Sequence, residues 1–249
     1  MVNVAVAGGS GGLGRHIVEA LLRTRQHHVI VLSRRNVASS LFPPEVQVKQ
    51  ISYDDCTSLI EALNGVHTVI SAINGVDPHS VVHTQLALLD AAVKAGVKRF
   101  APSEFATAVD EDHPVDLYKM KRVVGDAVKK SGLEYTLFHN GVLMNYLASG
   151  TEGVGYMRHL KFVFDVENCR ATIPGDGSAY FIFTRAEDVA TFVAKSLDLP
   201  QWPAVSEMQG DRKMLNEVVQ MAEAIRGMFL SFSYPTKLSK NLTKDNDLA

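Results

Sequence analysis

The chain has 249 residues, 46% of them hydrophobic, and a formal net charge of −2 at pH 7. This composition predicts a sizeable core in one large domain, or in one domain with a small appendage. The near-neutral charge argues against nucleic acid or an anionic membrane surface as a partner. No run reaches ~18 apolar residues, so no membrane-spanning helix is expected. The two cysteines, Cys56 and Cys169, form neither a disulfide framework nor a metal-ligand spacing, so we predict no metal site and a reducing, cytoplasmic setting.

Strand and helix patterns alternate through about residue 140. Alternating or wholly apolar runs predict strands at Val2 to Ala7, Val29 to Ser33, Val46 to Ile51, His67 to Ala72, Lys98 to Ala101 and Glu134 to His139. Apolar residues at three- and four-residue spacing predict helices at Leu13 to Arg25, around Leu59 to Leu63, at Val81 to Ala95 and at Leu117 to Lys130. This order predicts an α/β fold with a doubly wound parallel sheet.

The pattern is less regular after residue 140. A strand is predicted at Tyr180 to Phe183, and helices at Glu187 to Leu197 and Met214 to Ile225. Residues 141–175 show too little periodicity for an assignment. Residues 227–249 are rich in Ser, Lys, Thr and Asn without a clear period, which is typical of a poorly ordered tail.

A glycine-rich turn joins the first predicted strand to the first predicted helix. Gly8, Gly11 and Gly14 fall at G-x-x-G-x-x-G spacing inside a βαβ unit, the setting that favours a dinucleotide site over a flexible surface loop. A pyrophosphate would accept hydrogen bonds from free N–H groups at the helix N-terminus, where a Cβ would hold the backbone away. The predicted cofactor contacts in this turn are Gly8, Ser10, Gly11, Gly12, Leu13 and Gly14.

The end of the second predicted strand indicates which dinucleotide binds. The strand ends in Ser33, Arg34 and Arg35, and no acidic residue follows until Glu45. A free ribose 2′-hydroxyl is usually held there by Asp or Glu, whereas arginines form charge-assisted bonds to a 2′-phosphate. The sequence therefore predicts NADPH or NADP as cofactor, with Ser33 assisting; the alternative is that one or both arginines are solvated loop residues.

Several motifs together resemble a known family. The glycine spacing, "VLSR", "HTVISAING", "AGVKRFAPSEFA" and "SGLEYTLFHNGVLMNY" are similar to the isoflavone reductase-like and NmrA-like branch of atypical short-chain dehydrogenases, over about residues 2–195. The resemblance implies that Ser71 and Ala72 lie along the adenine and ribose side of the cofactor. It also implies that the segment containing Ser103 borders the nicotinamide, with Asn140 near the same ring.

The resemblance further implies that two parts of the chain have different roles. Residues 1–140 are expected to form the NADP-binding Rossmann domain. Residues 141–249 are expected to complete the sheet and to form a smaller substrate-binding part. Family members usually run longer at the C-terminus, and the last twenty-odd residues here do not resemble that continuation.

The usual catalytic pair of short-chain dehydrogenases is absent. Those enzymes place Tyr and Lys four apart on a helix, but none of the seven tyrosines here has Lys at i+4, and Tyr118 is followed by Arg122. The resembled family instead has a lysine fifteen residues before the threonine of a "GLEYT"-type motif, which corresponds to Lys121 before Thr136. A lysine desolvated beside the cofactor can serve as acid or base. Lys121 is therefore the candidate catalytic and cofactor-contacting residue, with Tyr118 one turn away as the second; the alternative is a water-facing helix lysine.

Two functions remain open from the sequence, and a third possibility is a chain whose substrate region is impaired. The first is an NADPH-dependent reductase of a small, aromatic or phenolic, carbonyl compound or activated alkene, with Lys121 as acid or base. The second is a non-catalytic NADP(H) sensor of the NmrA type that binds a protein partner. The first predicts a small-molecule substrate, and either is compatible with a monomer or homodimer.

Overall fold

A six-stranded parallel sheet forms the centre of the computed structural model, which describes residues 1–38, 40–75, 77–108, 115–148, 151, 154–158, 160 and 163–233. The strand order is β3-β2-β1-β4-β5-β6. These strands are β1 (Asn3–Ala7), β2 (His28–Ser33), β3 (Gln47–Gln50), β4 (Thr68–Ser71), β5 (Arg99–Ala101) and β6 (Glu134–Tyr135). The prediction of a doubly wound parallel sheet is confirmed.

Six α-helices accompany the strands in the described part of the chain. They are α1 (Gly12–Thr24), α2 (Cys56–Leu63), α3 (Pro78–Lys94), α4 (Asp116–Lys130), α5 (Ala186–Ser196) and α6 (Leu215–Arg226). Every helix predicted from apolar spacing is present, with its ends shifted by a few residues. None of these described helices is both long enough and apolar enough to cross a membrane.

Helices cover both faces of the central sheet. Val4 and Val6 of β1 contribute to a core shared with α1 and α5, whereas Ala5 and Ala7 point to a second core shared with α2, α3 and α4. All four side chains are fully buried. Burial on both sides explains why the strand sequences are nearly continuous apolar runs.

The predicted sixth strand forms two short strands that pair with different partners, since β6 pairs with β5 and the next piece pairs elsewhere. After β6, the piece β7 (Leu137–His139) pairs in parallel with β12 (Val205–Glu207), which no sequence pattern had indicated. Between the pieces, the buried hydroxyls of Thr136 and Ser206 are hydrogen-bonded at 2.8 Å. β7 and β12 thus form a two-stranded parallel sheet of their own, directly after β6 in the chain.

Two smaller sheets lie in the region after residue 140. One has the order β13-β11-β8 and the other β14-β10-β9. Their strands are β8 (Val142–Leu143), β9 (Phe164–Asp165), β10 (Arg170–Thr172), β11 (Tyr180–Thr184), β13 (Asp211–Met214) and β14 (Ser231–Ser233). Of the segment predicted to be a poorly ordered tail, residues 231–233 pair with β10, and residues 234–249 lie outside the described residues. The two-part division of the chain stays a prediction.

Replacing Gly125 by alanine should stabilise the fold. Gly125 lies inside α4, and a Cβ there would meet only Leu137 Cδ1 at 4.0 Å, an ordinary contact. Alanine in a helix interior is favoured over glycine by about 1 kcal/mol, so we expect the free energy of unfolding in urea to rise by about that amount.

The matched control is Gly132→Ala, just beyond the same helix. Gly132 also has room for a Cβ, with nothing within 4 Å, but its φ is +80°. Alanine is strained at positive φ, so this variant should be destabilised. Equal effects of the two substitutions would contradict the argument.

Candidate functional site

The turn between β1 and α1 is compact enough to present its amides to a ligand. Gly8 has φ +75°, and a Cβ there would lie 2.8 Å from the carbonyl oxygen of Ala72. A Cβ on Gly14 would lie 2.1 Å from the carbonyl oxygen of Gly8, so only glycine lets α1 start this close to the turn. The Gly11 N–H donates to the Gly8 carbonyl at 3.0 Å.

The start of α1 suits an anion. Its N-cap, Gly11, makes no side-chain capping bond, and the first turn contains no acidic residue. The backbone N–H groups there therefore have no capping side chain, and the helix dipole favours negative charge. Ser10 and Gly11 are exposed, and Gly12 and Leu13 are partly buried. This cradle fits a pyrophosphate.

A buried hydroxyl lies beside the turn. Ser71, at the carboxyl end of β4, is fully buried, and its Oγ has no hydrogen-bond partner among the described residues. A buried polar atom without a partner is costly, and a bound ligand is one way to satisfy it. Ala72 follows it, and the Ala72 N–H continues the ladder to the Ala7 carbonyl at 2.8 Å. Both residues predicted for the adenine and ribose side thus border the glycine turn.

The carboxyl end of β2 presents two arginines to the surface. The Ser33 hydroxyl accepts from the Arg35 N–H at 3.2 Å and donates to the Arg35 carbonyl at 2.9 Å, which closes a local turn. Arg34 and Arg35 are both exposed beyond it. Burial raises the pKa of Tyr53 to about 12, and the nearby Arg34 charge acts in the opposite direction. Ser33 therefore shapes the turn, and Arg34 lies at the rim of the predicted cofactor site.

Lys121 reaches from α4 to the loop that follows β5. Its ammonium is partly buried and donates to the carbonyl of Ser103 at 2.8 Å and to the carbonyl of Glu104. Burial lowers the pKa of Lys121, and the charge of Glu104 raises it. Tyr118, one turn earlier on α4, is also partly buried; burial and the Glu104 charge both raise its pKa. Lys121 and Tyr118, the two predicted catalytic residues, therefore both lie near the side-chain carboxylate of Glu104.

The loop after β5 is held from two sides. The N–H of Ser103 donates to Oε1 of Gln85 at 2.7 Å, and Gln85 is a buried residue of α3. Phe105 has φ +25°, unusual for an aromatic residue, and its ring stacks on Phe138 at 5.7 Å between centroids. Such strain persists only where surrounding contacts impose it. Gln85 was missed by sequence analysis, because at that stage it was only one more position of an amphipathic helix.

Two further polar residues lie at the end of β7. Asn140 is fully buried; its N–H donates to the Ala106 carbonyl at 3.0 Å, and its side-chain Oδ1 has no partner among the described residues. The neighbouring His139 has a buried Nδ1 that is likewise unpaired in the described structure. Burial lowers the pKa of His139, the charges of Glu104 and Glu207 raise it, and that of Lys121 lowers it. Glu104 and His139 therefore lie in the same site as Lys121.

An apolar pocket is formed by residues that follow Asn140 in the chain. It contains none of the predicted site residues. Its lining consists of aliphatic and aromatic side chains: Val142, Tyr146, Leu147, Val163, Phe164, Phe181, Phe183 and Leu215.

Comparison with known proteins connects this geometry to described relatives. The NmrA-like family matches residues 2–245. The chain is 37% identical over 245 residues to the oxidoreductase BOA1 of Botryotinia fuckeliana (strain B05.10), covering 96% of this chain and 81% of the relative. It is 32% identical over 216 residues to the bifunctional pinoresinol-lariciresinol reductase of Forsythia intermedia, covering 80% and 66%. The solved structure of AtPrR2 with NADP+ and (+)pinoresinol superimposes with a TM-score of 0.72 at 26% identity, covering 94% of this chain and 78% of that one.

Proposed function

The chain belongs to the NmrA-like family, and from that premise we propose that it uses NADPH to reduce a small phenolic compound at a carbonyl or activated alkene, with Lys121 as acid or base. The coarser prediction, an oxidoreductase with NADP(H) as cofactor, is confirmed by relatives that are oxidoreductases and by a neighbour that holds NADP+. The substrate class and the role of Lys121 are our proposal. The names of the relatives support the phenolic class, since they include a pinoresinol-lariciresinol reductase.

The residues around the glycine turn fit the cofactor. The amides at the start of α1 would hold its pyrophosphate, and the unpaired Ser71 Oγ and Asn140 Oδ1 are buried polar atoms that its polar groups would satisfy. Arg34 would form charge-assisted bonds to a 2′-phosphate. When bound, NADPH supplies the two electrons and one hydrogen that the substrate carbon receives.

The observation that carries the proposal is the position of the Lys121 ammonium. It lies partly buried beneath the carbonyls of Ser103 and Glu104, at the sheet edge where the carboxyl ends of β1, β4 and β5 meet. As negative charge develops on the substrate oxygen or carbon, an N–H of Lys121 would donate its proton there. The neutral amine would then regain a proton from water. A lowered pKa makes this transfer easier, because the proton is held less tightly.

A single-turnover screen tests the proposed reaction. Excess protein is mixed with NADPH and one member of a panel of aldehydes, enones and phenolic lignans such as pinoresinol, and the loss of NADPH absorbance is followed. We expect at least one phenolic member to consume NADPH in a stoichiometric burst. If NADPH binds, no panel member consumes it and a protein partner co-purifies only in one redox state of the cofactor, the sensor function replaces the reductase.

A further inference from the structure

We propose that residues 154–157, which we call the strap, retain NADPH in the glycine turn, and that His16 is the positioning residue that holds the strap on α1. This inference rests on the proposed function and adds to it a device for keeping the cofactor bound. Its support is a set of contacts between two segments far apart in sequence.

The strap lies along one face of α1. The N–H of Tyr156 donates to Nε2 of His16 at 3.2 Å, and the two rings are 4.9 Å apart between centroids. The Tyr156 hydroxyl is hydrogen-bonded to Glu19, and the Arg15 guanidinium lies 3.8 Å from the centre of the Tyr156 ring. One residue of the strap therefore contacts three residues of α1.

A second anchor holds the other end of the strap. The side-chain amide of Asn145 donates to the Val154 carbonyl at 3.2 Å, while its Oδ1 accepts from the Ala186 N–H at 2.7 Å. Gly155 has φ +70°, and a Cβ there would lie 2.3 Å from the His16 ring. The strap therefore fits against His16 only with glycine at this position.

The strap lies directly beside the proposed phosphate site. A Cβ on Gly12, the first residue of α1, would lie 3.2 Å from both the Tyr156 carbonyl oxygen and the Met157 sulfur. The strap thus walls one side of the amides that would hold the pyrophosphate. Excluding water there strengthens those hydrogen bonds, because the local dielectric is lower. A docked strap should therefore slow cofactor release.

The hydrogen bond to the strap requires neutral His16. Nε2 can accept from Tyr156 only while it carries no proton. Burial lowers the pKa of His16 from its usual 6.5. The other charges that act on it come from α1 and α5: Glu187 and Glu19 raise the pKa, and Arg23 and Arg15 lower it. Because the folded pKa is lowered, docking is complete above pH 6.5 and is lost as the pH falls through the folded pKa.

Two variants and one matched control test the strap. Gly155→Ala expels the strap sterically, and His16→Phe keeps a ring but removes the acceptor. Gly175→Ala is the control, since Gly175 has φ +64° but nothing within 4 Å of a Cβ, so it carries the same backbone strain without the clash. We expect Gly155→Ala and His16→Phe to weaken NADP+ binding about tenfold, with Gly175→Ala unchanged.

Hydrogen exchange gives a readout that needs no turnover. The Tyr156 amide of the cofactor-free protein should be protected in the wild type and Gly175→Ala, and should exchange faster in the other two variants. A pH series with NADP+ adds a second signature. Wild-type affinity relative to His16→Phe should fall below pH 6.5, a comparison in which titration of the 2′-phosphate cancels.

The outcomes of these experiments distinguish a failure of the strap proposal from a failure of the proposed function. Unchanged Tyr156 exchange in His16→Phe would show that His16 does not hold the strap. Faster exchange with unchanged or tighter NADP+ binding would show that the strap does not retain the cofactor. A wild type that binds no NADP+ would overturn the proposed function itself, and the retention with it.

Discussion

Replacing Lys121 by alanine should lower the single-turnover rate by about 100-fold or more, the usual contribution of a positioned acid or base. The ammonium is the group that the structure places beneath the Ser103 and Glu104 carbonyls, and alanine leaves no proton donor there. NADPH affinity should change far less than the rate. The matched control is Lys129→Ala on the same helix, an exposed lysine paired with Asp126 at 3.1 Å, which should turn over normally.

The pH dependence of the single-turnover rate distinguishes a Lys121 that donates a proton from one that only packs in the structure. Burial lowers the pKa of Lys121. A lysine that donates a proton must be charged, so the rate should fall as the pH rises through that lowered pKa. Lys121→Arg keeps the charge but does not titrate in this range, so this decline should be absent from its profile. Full turnover by Lys121→Ala on any substrate would remove Lys121 from the mechanism.

The central fold could be predicted from the sequence because the patterns that indicate its strands and helices are local and repeated. The run "VIVLS" of β2 is wholly buried, as a strand covered on both faces must be, and the spacing of Ile17 and Leu21 in α1 matches their shared core. Strands such as Val142–Leu143 and Phe164–Asp165 could not be recognised. A period cannot be counted in two residues, and their pairing is fixed by tertiary contacts instead.

The site could be predicted from the sequence only in part, because only some of its features are local sequence patterns. Glycine spacing located the turn, and a motif located Lys121, since both are local patterns. The contact of His16 with Tyr156 joins residues 140 apart in sequence, and a lone His on a helix face does not predict it. Arg99 is a similar case. Sequence analysis placed it only within a predicted strand, whereas in the structure it is buried, pairs with Glu134 at 2.8 Å and donates to the Leu199 carbonyl beyond α5.

Replacing Arg34 by alanine should reduce the preference for NADPH over NADH by about 10- to 100-fold, the value of one charge-assisted bond to a 2′-phosphate. NADH affinity should hardly change, since NADH lacks that phosphate. Calorimetric titration of both cofactors measures the ratio directly. Arg25→Ala, in the exposed turn between α1 and β2, removes an equal charge before the amino end of β2 and should leave the ratio unchanged.

A second substitution at Arg34 tests whether the cofactor preference can be reversed. Arg34→Asp places a carboxylate where the free 2′-hydroxyl of NADH can donate to it and where a 2′-phosphate is repelled. The preference should therefore turn toward NADH, beyond the loss seen with alanine. Arg35→Ala in parallel shows how the phosphate contact is divided between two neighbouring exposed guanidiniums. If the wild type binds both cofactors equally, Arg34 does not contact the 2′-phosphate, and its side chain serves only as a charge beside Tyr53.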